Sequence, residues 1–293
     1  MKKSLQDAIK AEQPLQIVGV IHALAAMMAE QTGFKALYLS GAGVANTMGL
    51  PDLGLTSLND VIEQVSKITQ ATDLPLLVDA DTGWGNPLNI RRAFNALERA
   101  GAAGAHIEDQ QENKRCGHRE KKHLVSTQEM VGRIKAALDG RESDQFMVIA
   151  RTDSIANEGI QAALERAKAY EKAGADAVFV EAITEAAHYK TFTQALKIPV
   201  LANITEFGKT PLLTLQQLSE QGIKMALYPL SAFRAMNAAA LQVYQTLKKE
   251  GSQQSVISSM QNRQDLYKIL GYEAKEQELE QYLTLMENSH GSI

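Results

Sequence analysis

The sequence contains one cysteine among its 293 residues, Cys116, and this scarcity excludes an internal disulfide framework. A chain so poor in cysteine fits a reducing compartment, so we expect a cytoplasmic protein. Long apolar runs are also missing. The most apolar early segment, residues 17–29, contains His22 and is shorter than the roughly 20 residues that a membrane-spanning helix needs. No apolar run follows Lys2 and Lys3, so we expect no signal peptide.

Neither sign of charge dominates the composition. The 30 Lys and Arg residues nearly balance 34 Asp and Glu residues, which gives a formal net charge of −4. This balance gives no general affinity for nucleic acid or for acidic membranes. The length fits either two average domains or one barrel of eight β/α units, which typically takes about 250 residues.

Short apolar segments alternate with longer amphipathic segments as far as residue 230, a pattern typical of repeated β/α units. Eight strands are predicted, at residues 16–23, 36–43, 75–83, 104–110, 146–154, 177–182, 199–205 and 224–230. The clearest helices are predicted at residues 57–72, 86–100, 126–138, 160–173 and 214–221. Ser57 and Ser126 are each followed three positions later by an acidic residue, a pattern that caps helix N-termini.

An internal repeat supports the count of eight strands. The segment Glu-Arg-Ala-Gly-Ala from Glu98, which leads to Glu108, recurs 73 residues later as Glu-Lys-Ala-Gly-Ala from Glu171, which leads to Glu181. Two β/α units in that length match a (β/α)8 barrel and place the two final glutamates on strands 4 and 6. A doubly wound α/β sheet is the alternative, because Ala-Gly-Ala is also a common helix stop.

The chain continues in helical patterns after the eighth strand, at residues 232–248 and 255–285. We predict that residues 1–293 form a single barrel domain, with residues 232–293 as a C-terminal helical extension. Eight β/α units do not require this extension. It could pack against another subunit or cap the same barrel, since both uses give the same sequence pattern.

Three carboxylates follow neighbouring strands of the predicted barrel. Asp79 and Asp81 are two residues apart at the end of strand 3 and therefore face the same way, and Glu108 ends strand 4. Two like charges so close together need a counter-ion. An all-oxygen set suits Mg²⁺, with Mn²⁺ possible as well. A competing interpretation is that one of these carboxylates only caps a turn or a helix.

Groups suited to binding a substrate carboxylate follow the other strands. Ser40, Gly41 and Ala42 are small residues whose N–H groups can approach an oxyanion, with the phenol of Tyr38 alongside. The same residues also form an ordinary tight turn. Arg151 ends strand 5, where a guanidinium can grip a carboxylate through two hydrogen bonds. Further donors after strands 7 and 8 are Asn203, Thr205 and Arg234.

Cys116 lies in a basic loop that contains glycine. From Lys114 to His123 five Lys and Arg residues oppose one Glu, a field that favours a thiolate and makes the cysteine a candidate for chemistry. The alternative role is that of a small buried hydrophobe. Residues 111–125 are long for a β/α connection and include Gly117, so we predict a mobile lid. A non-catalytic barrel whose basic loop binds a polyanion is disfavoured, because the loop has no aromatic residue for base stacking.

Six motifs resemble, in this order, those of the isocitrate lyase and phosphoenolpyruvate mutase superfamily. They are Tyr-Leu-Ser-Gly-Ala-Gly from residue 38, Val-Asp-Ala-Asp-Thr-Gly from 78, His-Ile-Glu-Asp-Gln from 106, Lys-Arg-Cys-Gly-His-Arg from 114, Ala-Arg-Thr-Asp from 150 and Asn-Ile-Thr-Glu-Phe-Gly from 203. The resemblance covers residues 15–282. The cysteine motif is the most specific, because isocitrate lyases usually carry Lys-Lys-Cys-Gly-His in longer chains and the mutase relatives generally lack the cysteine.

The resemblance implies a Mg²⁺-dependent lyase that cleaves 2-methylisocitrate to pyruvate and succinate in propionate breakdown. A sister activity on isocitrate or another acid is the alternative. It implies Tyr38 as the base, Cys116 as the acid, and metal contacts from Asp79, Asp81 and Glu108. The implied substrate contacts are Ser40, Gly41, Ala42, Cys116, Gly117, Arg151, Glu181, Asn203, Ile204, Thr205, Arg234 and Arg263. It also implies a homotetramer that exchanges the last barrel helix between subunits, with no nucleic-acid or membrane partner.

Overall fold

Eight parallel strands close into a barrel in sequence order, with strand 8 paired to strand 1. The computed structural model describes residues 4–117, 119 and 122–290, and only the backbone of residues 288–290. The strands are β1 Leu15–Gly19, β2 Ala36–Leu39, β3 Leu76–Asp79, β4 Gly104–Glu108, β5 Met147–Thr152, β6 Ala177–Val180, β7 Val200–Asn203 and β8 Met225–Tyr228. The predicted (β/α)8 barrel is confirmed, and the doubly wound sheet is wrong.

The helices of the barrel alternate with these strands. They are α1 Leu5–Ala11, α2 Ala23–Thr32, α3 Gly41–Thr47, α4 Leu58–Ala71, α5 Pro87–Arg99, α6 Thr127–Gly140, α7 Ile155–Ala173, α8 His188–Ala195 and α9 Leu215–Glu220. Both predicted serine caps form: Ser57 completes a reciprocal capping box, and Ser126 accepts a hydrogen bond from the N–H of Glu129. Helix α7 starts at Ile155, five residues earlier than predicted, and is kinked at Gly159, where φ is 80°. The predicted start at residue 160 is the first position after this kink.

The interior of the barrel changes from apolar to polar along each strand. Residues two apart on a strand face the same side, so Leu77 and Asp79 both point inward, as do Ile149 and Arg151. The apolar member of each pair belongs to one buried cluster, which also includes Leu5 of α1. The polar members come last on their strands. An apolar layer therefore fills the barrel and forms the floor beneath a polar layer at the carboxyl ends of the strands.

Backbone strain among the described residues gathers at the same end of the barrel. The non-glycine residues with positive φ are Asp81 at 45°, Trp84 at 57°, Ala182 at 59° and Phe207 at 61°. Each of them follows the carboxyl end of a strand, β3, β6 or β7. A left-handed conformation costs a non-glycine residue on the order of 1–3 kcal/mol. Strain on this scale accumulates where loops present functional side chains.

The chain divides into two compact units, Met1–Arg234 and Ala235–Ile293. Helix α10, Ser231–Glu250, runs into the second unit, which also contains a 3-10 helix at Gln254–Ser259, α11 at Arg263–Leu270 and α12 at Tyr272–His290. The predicted helical tail is thus confirmed, while its role as an extension of one barrel domain stays a prediction. No helix in the described part of the chain is long and apolar enough to cross a membrane.

Candidate active site

A cavity of about 200 Å³ opens at the carboxyl ends of the strands. Most of the predicted site residues line it: Tyr38, Ser40, Ala42, Asp79, Cys116, Gly117, Arg151, Glu181, Asn203, Thr205 and Arg234. Ile204 instead packs in the apolar cluster around β6 and β7, so its backbone is what it can offer a ligand. Arg263 begins α11 in the second unit, and its role stays a prediction.

Three predicted metal ligands meet beside the cavity. Asp79, Asp81 and Glu108 each offer an oxygen within 4.8 Å of the others, and all three are buried. Among the described residues, neither Glu108 oxygen has a hydrogen-bond donor, and the nearest ionic partner is Arg151, whose Nε lies 3.4 Å from Oε2. Buried acceptors without donors are rare in proteins. The three carboxylates therefore fit a divalent cation that prefers oxygen ligands.

The backbone fixes the Asp79 carboxylate. Gly41, the first residue of α3, donates its N–H to Oδ2 at 3.0 Å, and Asp81 donates its N–H to Oδ1 at 3.1 Å. A side chain at position 41 would bring a Cβ within 3.1 Å of Oδ2, so the close approach suits glycine. Burial opposes ionisation of Asp79, but the positive charges of Lys114 and Arg151, and of His106 when protonated, outweigh it and lower the pKa of this carboxyl.

Lys114 supplies a counter-charge to the carboxylate cluster. Its Nζ lies 2.5 Å from Asp81 Oδ1 and 2.6 Å from Asp52 Oδ1, and its side chain is buried. Burial and the negative charge of Asp79 raise the pKa of Asp81 to about 7, despite this lysine. Burial likewise raises the pKa of Glu108 well above its ordinary value. The single ammonium of Lys114 does not neutralise the three carboxylates when they are ionised. Additional positive charge, such as that of a bound cation, would therefore stabilise the cluster.

We expect divalent cation binding to weaken as the pH falls below about 7. A cation binds the ionised form of Asp81, so below the pKa of about 7 in the metal-free chain a proton must leave first. The affinity should fall by about tenfold per pH unit for each proton that the cation displaces, and Glu108, whose pKa is also raised, adds to the contribution of Asp81. Titration calorimetry in buffers of different ionisation enthalpy should detect about one more released proton near pH 6 than near pH 8, because Asp81 is protonated only at the lower pH. Equal affinities at the two pH values would contradict the assignment of Asp81.

Tyr38 is held between a carboxylate and a histidine. Its hydroxyl lies 3.3 Å from Asp79 Oδ2 and 2.9 Å from His106 Nε2. Burial lowers the pKa of His106 to about 4, so its ring is neutral at pH 7. If its Nε2–H donates to the phenol oxygen, the hydroxyl of Tyr38 is left to donate to Asp79. Burial, followed by the charge of Asp79, raises the pKa of Tyr38 above its ordinary value, so the metal-free chain keeps the phenol protonated.

Arg151 is the central cation of the cavity. Its Nε and Nη2 donate to the two oxygens of Asp153 at 2.9 and 3.1 Å, and Nη2 also lies 3.2 Å from Glu181 Oε2. The guanidinium stacks 5.0 Å above the centre of the Phe179 ring. Glu181 in turn accepts from the amide of Asn203, at 3.2 Å to Oε2. Three predicted substrate contacts from neighbouring strands, Arg151, Glu181 and Asn203, therefore form one connected network.

The cysteine loop is anchored at its base. Gln110 and Leu124 form an antiparallel bridge, and the Gln110 amide both donates to and accepts from the backbone of Arg115. Cys116 is half-buried and lines the cavity. Three residues of the predicted lid, His118, Glu120 and Lys121, lie outside the described residues, and the mobility of the lid stays a prediction.

The structure adds site residues that the sequence did not single out. His106 is two residues before Glu108 and Asp153 is two after Arg151, so strand alternation carried a signal for both. Asp52 had none, because it lies in the loop after α3 and meets Lys114 through tertiary folding alone. Phe179 is a further lining residue, two before Glu181 on the same inward face.

Comparison with known proteins gives matches over nearly the whole chain. The family profile described as phosphoenolpyruvate phosphomutase matches residues 5–248. A 2-methylisocitrate lyase of Shewanella oneidensis is 56% identical over 277 residues, covering 94% of this chain and 95% of that protein. A 2-methylisocitrate lyase of Escherichia coli strain K12 is 52% identical over 280 residues, with 95% of each covered. The crystal structure of 2,3-dimethylmalate lyase superposes with a TM-score of 0.86 at 34% identity, covering 93% of this chain and 92% of that one.

The protein has a closed barrel with an acidic cluster and an arginine at the carboxyl ends of its strands. These features place it in the class of (β/α)8-barrel enzymes. The chain belongs to the phosphoenolpyruvate phosphomutase family, within the isocitrate lyase and phosphoenolpyruvate mutase superfamily. It is a carbon–carbon lyase of that superfamily. The resemblance expected from the motifs is confirmed.

Proposed function

We propose that this enzyme cleaves 2-methylisocitrate to pyruvate and succinate with the help of Mg²⁺. The observation that carries the proposal is the buried triad of Asp79, Asp81 and Glu108, whose Asp79 lines the same cavity as Arg151 and Cys116. Tricarboxylate cleavage needs a Lewis acid, a cation for substrate carboxylates and a proton donor, and these residues supply or hold all three. Two 2-methylisocitrate lyases are each more than 50% identical to this chain, and this similarity supports the same substrate.

Apolar side chains in the cavity support the methylated substrate. Pro229 and Leu230 are half-buried and line the cavity with the charged residues, and the buried side chains of Phe179 and Leu227 lie behind it. An apolar wall binds a methyl group favourably, and one methyl contact is worth about 1–3 kcal/mol in a hydrophobic pocket. The wall therefore favours 2-methylisocitrate over isocitrate, by a factor set by how closely these side chains meet the methyl group.

Cleavage starts with loss of the substrate hydroxyl proton, a step that we assign to Tyr38. Bound to Asp79, Asp81 and Glu108, Mg²⁺ would supply positive charge beside the oxygen that becomes the keto group of pyruvate. The same charge offsets the carboxylate that raises the Tyr38 pKa. With its proton on Nε2, neutral His106 would donate a hydrogen bond to the phenol oxygen and stabilise the phenolate form. Tyr38 can thus accept the proton once the acidic cluster is neutralised.

Protonation of the carbon that becomes succinate completes the reaction, and we assign it to Cys116. Cys116 and Asp79 of the metal cluster line the same cavity, so one substrate bound there can reach both the thiol and the proposed metal site. Arg151 and Asn203 would hold the substrate carboxylates, with Thr205 and Arg234 further along the cavity.

We also propose a cytoplasmic homotetramer, as the sequence led us to expect. The second unit offers apolar side chains for association, because Leu241, Tyr244, Tyr282 and Leu285 are all more than half exposed. Exposed apolar residues in such number are typical of interaction surfaces. Exchange of a helix between subunits belongs to this proposal, and light scattering of the purified chain measures the assembly.

The proposed reaction is tested by a coupled assay with purified enzyme and Mg²⁺. 2-Methylisocitrate, isocitrate and 2,3-dimethylmalate are offered separately, and the keto product is identified by its dehydrogenase and by mass. We expect pyruvate from 2-methylisocitrate, with a kcat/KM at least about tenfold above that for isocitrate because of the methyl contact. Glyoxylate release from isocitrate at equal or greater efficiency would instead establish a sister activity.

A further inference from the structure

The cysteine loop is fastened to the barrel by a buried lysine. The Nζ of Lys122 donates to the carbonyl oxygen of Gly117 at 2.7 Å and to Asp153 Oδ1 at 2.9 Å. The side chains of Lys122 and Asp153 are 1% and 0% exposed, so water does not compete for these contacts. A buried ammonium is stable only when acceptors such as these satisfy it, so the positions of its partners are closely defined. Lys122 therefore ties the residue next to Cys116 to the end of β5.

The same aspartate orients the main cation of the cavity. Asp153 accepts from two guanidinium nitrogens of Arg151, and its Oδ1 is shared between Arg151 and Lys122. A two-point contact fixes the plane of the guanidinium. One carboxylate thus sets both the direction of Arg151 and the position of the loop.

A second layer of hydrogen bonds holds Asp153 in place. Its backbone N–H donates to Asp109 Oδ1 at 2.9 Å, and Asp109 Oδ2 accepts from the hydroxyls of Thr152 and Tyr170, each at 2.8 Å. All these groups are buried. The anchor is therefore built on the rigid part of the barrel, β5 and α7.

Gly117 lies directly against the charged network. A Cβ at this position would come within 2.4 Å of Arg151 Nη2 and 2.5 Å of Glu181 Cγ. The loop backbone thus touches the groups that we assign to substrate binding, and a small displacement of Gly117 also displaces the adjoining Cys116. Catalytic groups lose rate steeply with such displacement, about 100-fold for roughly 1 Å.

We infer that Lys122 and Asp153 are positioning residues that hold Gly117, and through it Cys116, against the Arg151–Glu181 pair. They act through the loop and do not touch the reacting atoms. The consequence for turnover rests on the proposed function of Cys116. The placement of the thiol does not, because it is a property of the folded chain whatever the substrate.

The test is Lys122→Met, which keeps the length of the side chain and removes its charge and donors. Cys116 is the only cysteine, so alkylation by iodoacetamide, followed by intact mass, reports the access of this thiol alone. We expect the alkylation rate at high pH, where the thiol is ionised in both proteins, to rise by about tenfold as the loop is released and the reagent gains access. We expect kcat to fall by about 100-fold. Mg²⁺ affinity should change far less than kcat, because Lys122 contacts none of the three triad carboxylates and reaches Glu108 only through Asp153 and Arg151.

Two variants control for loss of a lysine in general. Lys122→Arg retains a cation that can reach both acceptors and should recover a large part of kcat and of the protection of the thiol. Lys168→Met removes a lysine whose Nζ lies at the same 2.9 Å from a carboxylate, Glu165, on the surface. It should leave alkylation and turnover at the level of the unchanged enzyme, since exposed ion pairs contribute little.

A milder variant covers the possibility that Lys122→Met fails to fold. The Asn157 amide donates to the carbonyl oxygen of Lys122 at 2.7 Å, and Asn157→Ala releases this backbone without leaving a buried charge unpaired. Faster alkylation of folded Asn157→Ala supports the inference. Unchanged alkylation in folded Lys122→Met, or in Asn157→Ala where Lys122→Met is unfolded, overturns it. An enzyme that leaves 2-methylisocitrate uncleaved overturns the proposed function instead, and the alkylation rates still decide the positioning role.

Discussion

Cys116→Ser is expected to lose about 10²–10⁴-fold in kcat while it folds and binds Mg²⁺ normally. This is the range that a positioned proton donor contributes, and a serine hydroxyl is a far weaker acid than a thiol. Cys116 is half-buried at the cavity wall and the substitution is nearly isosteric, so stability should change little. Turnover of 2-methylisocitrate, thermal unfolding and calorimetric Mg²⁺ affinity measure the three quantities.

The variant Cys116→Ala distinguishes the acidity of the thiol from its effects on packing and hydrogen bonding. If the thiol is the proton donor, Ser and Ala variants should be about equally slow. A serine variant with near-normal kcat would remove Cys116 from the proton transfer, and a serine variant well above the alanine variant would reduce its role to a polar contact.

Glu108→Gln is expected to abolish stabilisation by divalent cations without harming the metal-free fold. Burial raises the pKa of Glu108 well above its ordinary value, so the neutral amide resembles the protonated carboxyl of the metal-free chain. The unchanged enzyme should gain about 2.7 kcal/mol at a Mg²⁺ concentration about 100 times its Kd. The variant should gain close to none, and its kcat should fall with its Mg²⁺ affinity.

Glu165→Gln is the matched control, because Glu165 is an exposed glutamate on α7 far from the triad in sequence. It should retain the full increase in unfolding free energy with Mg²⁺, measured by urea unfolding at fixed ion concentration. Retention of that increase by Glu108→Gln would exclude Glu108 from the metal site. A large loss of metal-free stability would show that its carboxylate contributes to folding in its own right.

The barrel was predictable because its signal is periodic. Most strands are short apolar runs buried on both faces and several of the helices between them are amphipathic, so eight strands could be placed from local pattern alone. The strand ends were less accurate: residues 36–43 were predicted as one strand, yet β2 stops at Leu39 and α3 begins at Gly41. Ser40 causes this switch by capping α3, accepting a hydrogen bond from the N–H of Gly43. Local hydrogen bonding thus overrode the apolar pattern at the point where the site begins.

The electrostatics of the cysteine loop could not be predicted, because they depend on tertiary partners. The excess of basic residues indicated a field that favours a thiolate. Lys114 is instead paired with Asp52 and Asp81, and Lys122 with Asp153. These two cations are neutralised by carboxylates from other parts of the chain. The pairing weakens the argument for a resting thiolate and makes Cys116 more suitable as a proton donor. It also removes cations that a polyanion would need.

The left-handed residues at one end of the barrel have a consequence for engineering this enzyme. Asp81 adopts a φ of 45° and belongs to the proposed metal site, so Asp81→Gly would relax the backbone and remove a proposed ligand in one step. Selection for heat resistance without selection for activity should therefore accumulate changes at Asp81, Ala182 and Phe207. A search for a more durable but active catalyst should be confined to the opposite rim, where strands begin and no such trade-off between durability and catalysis operates.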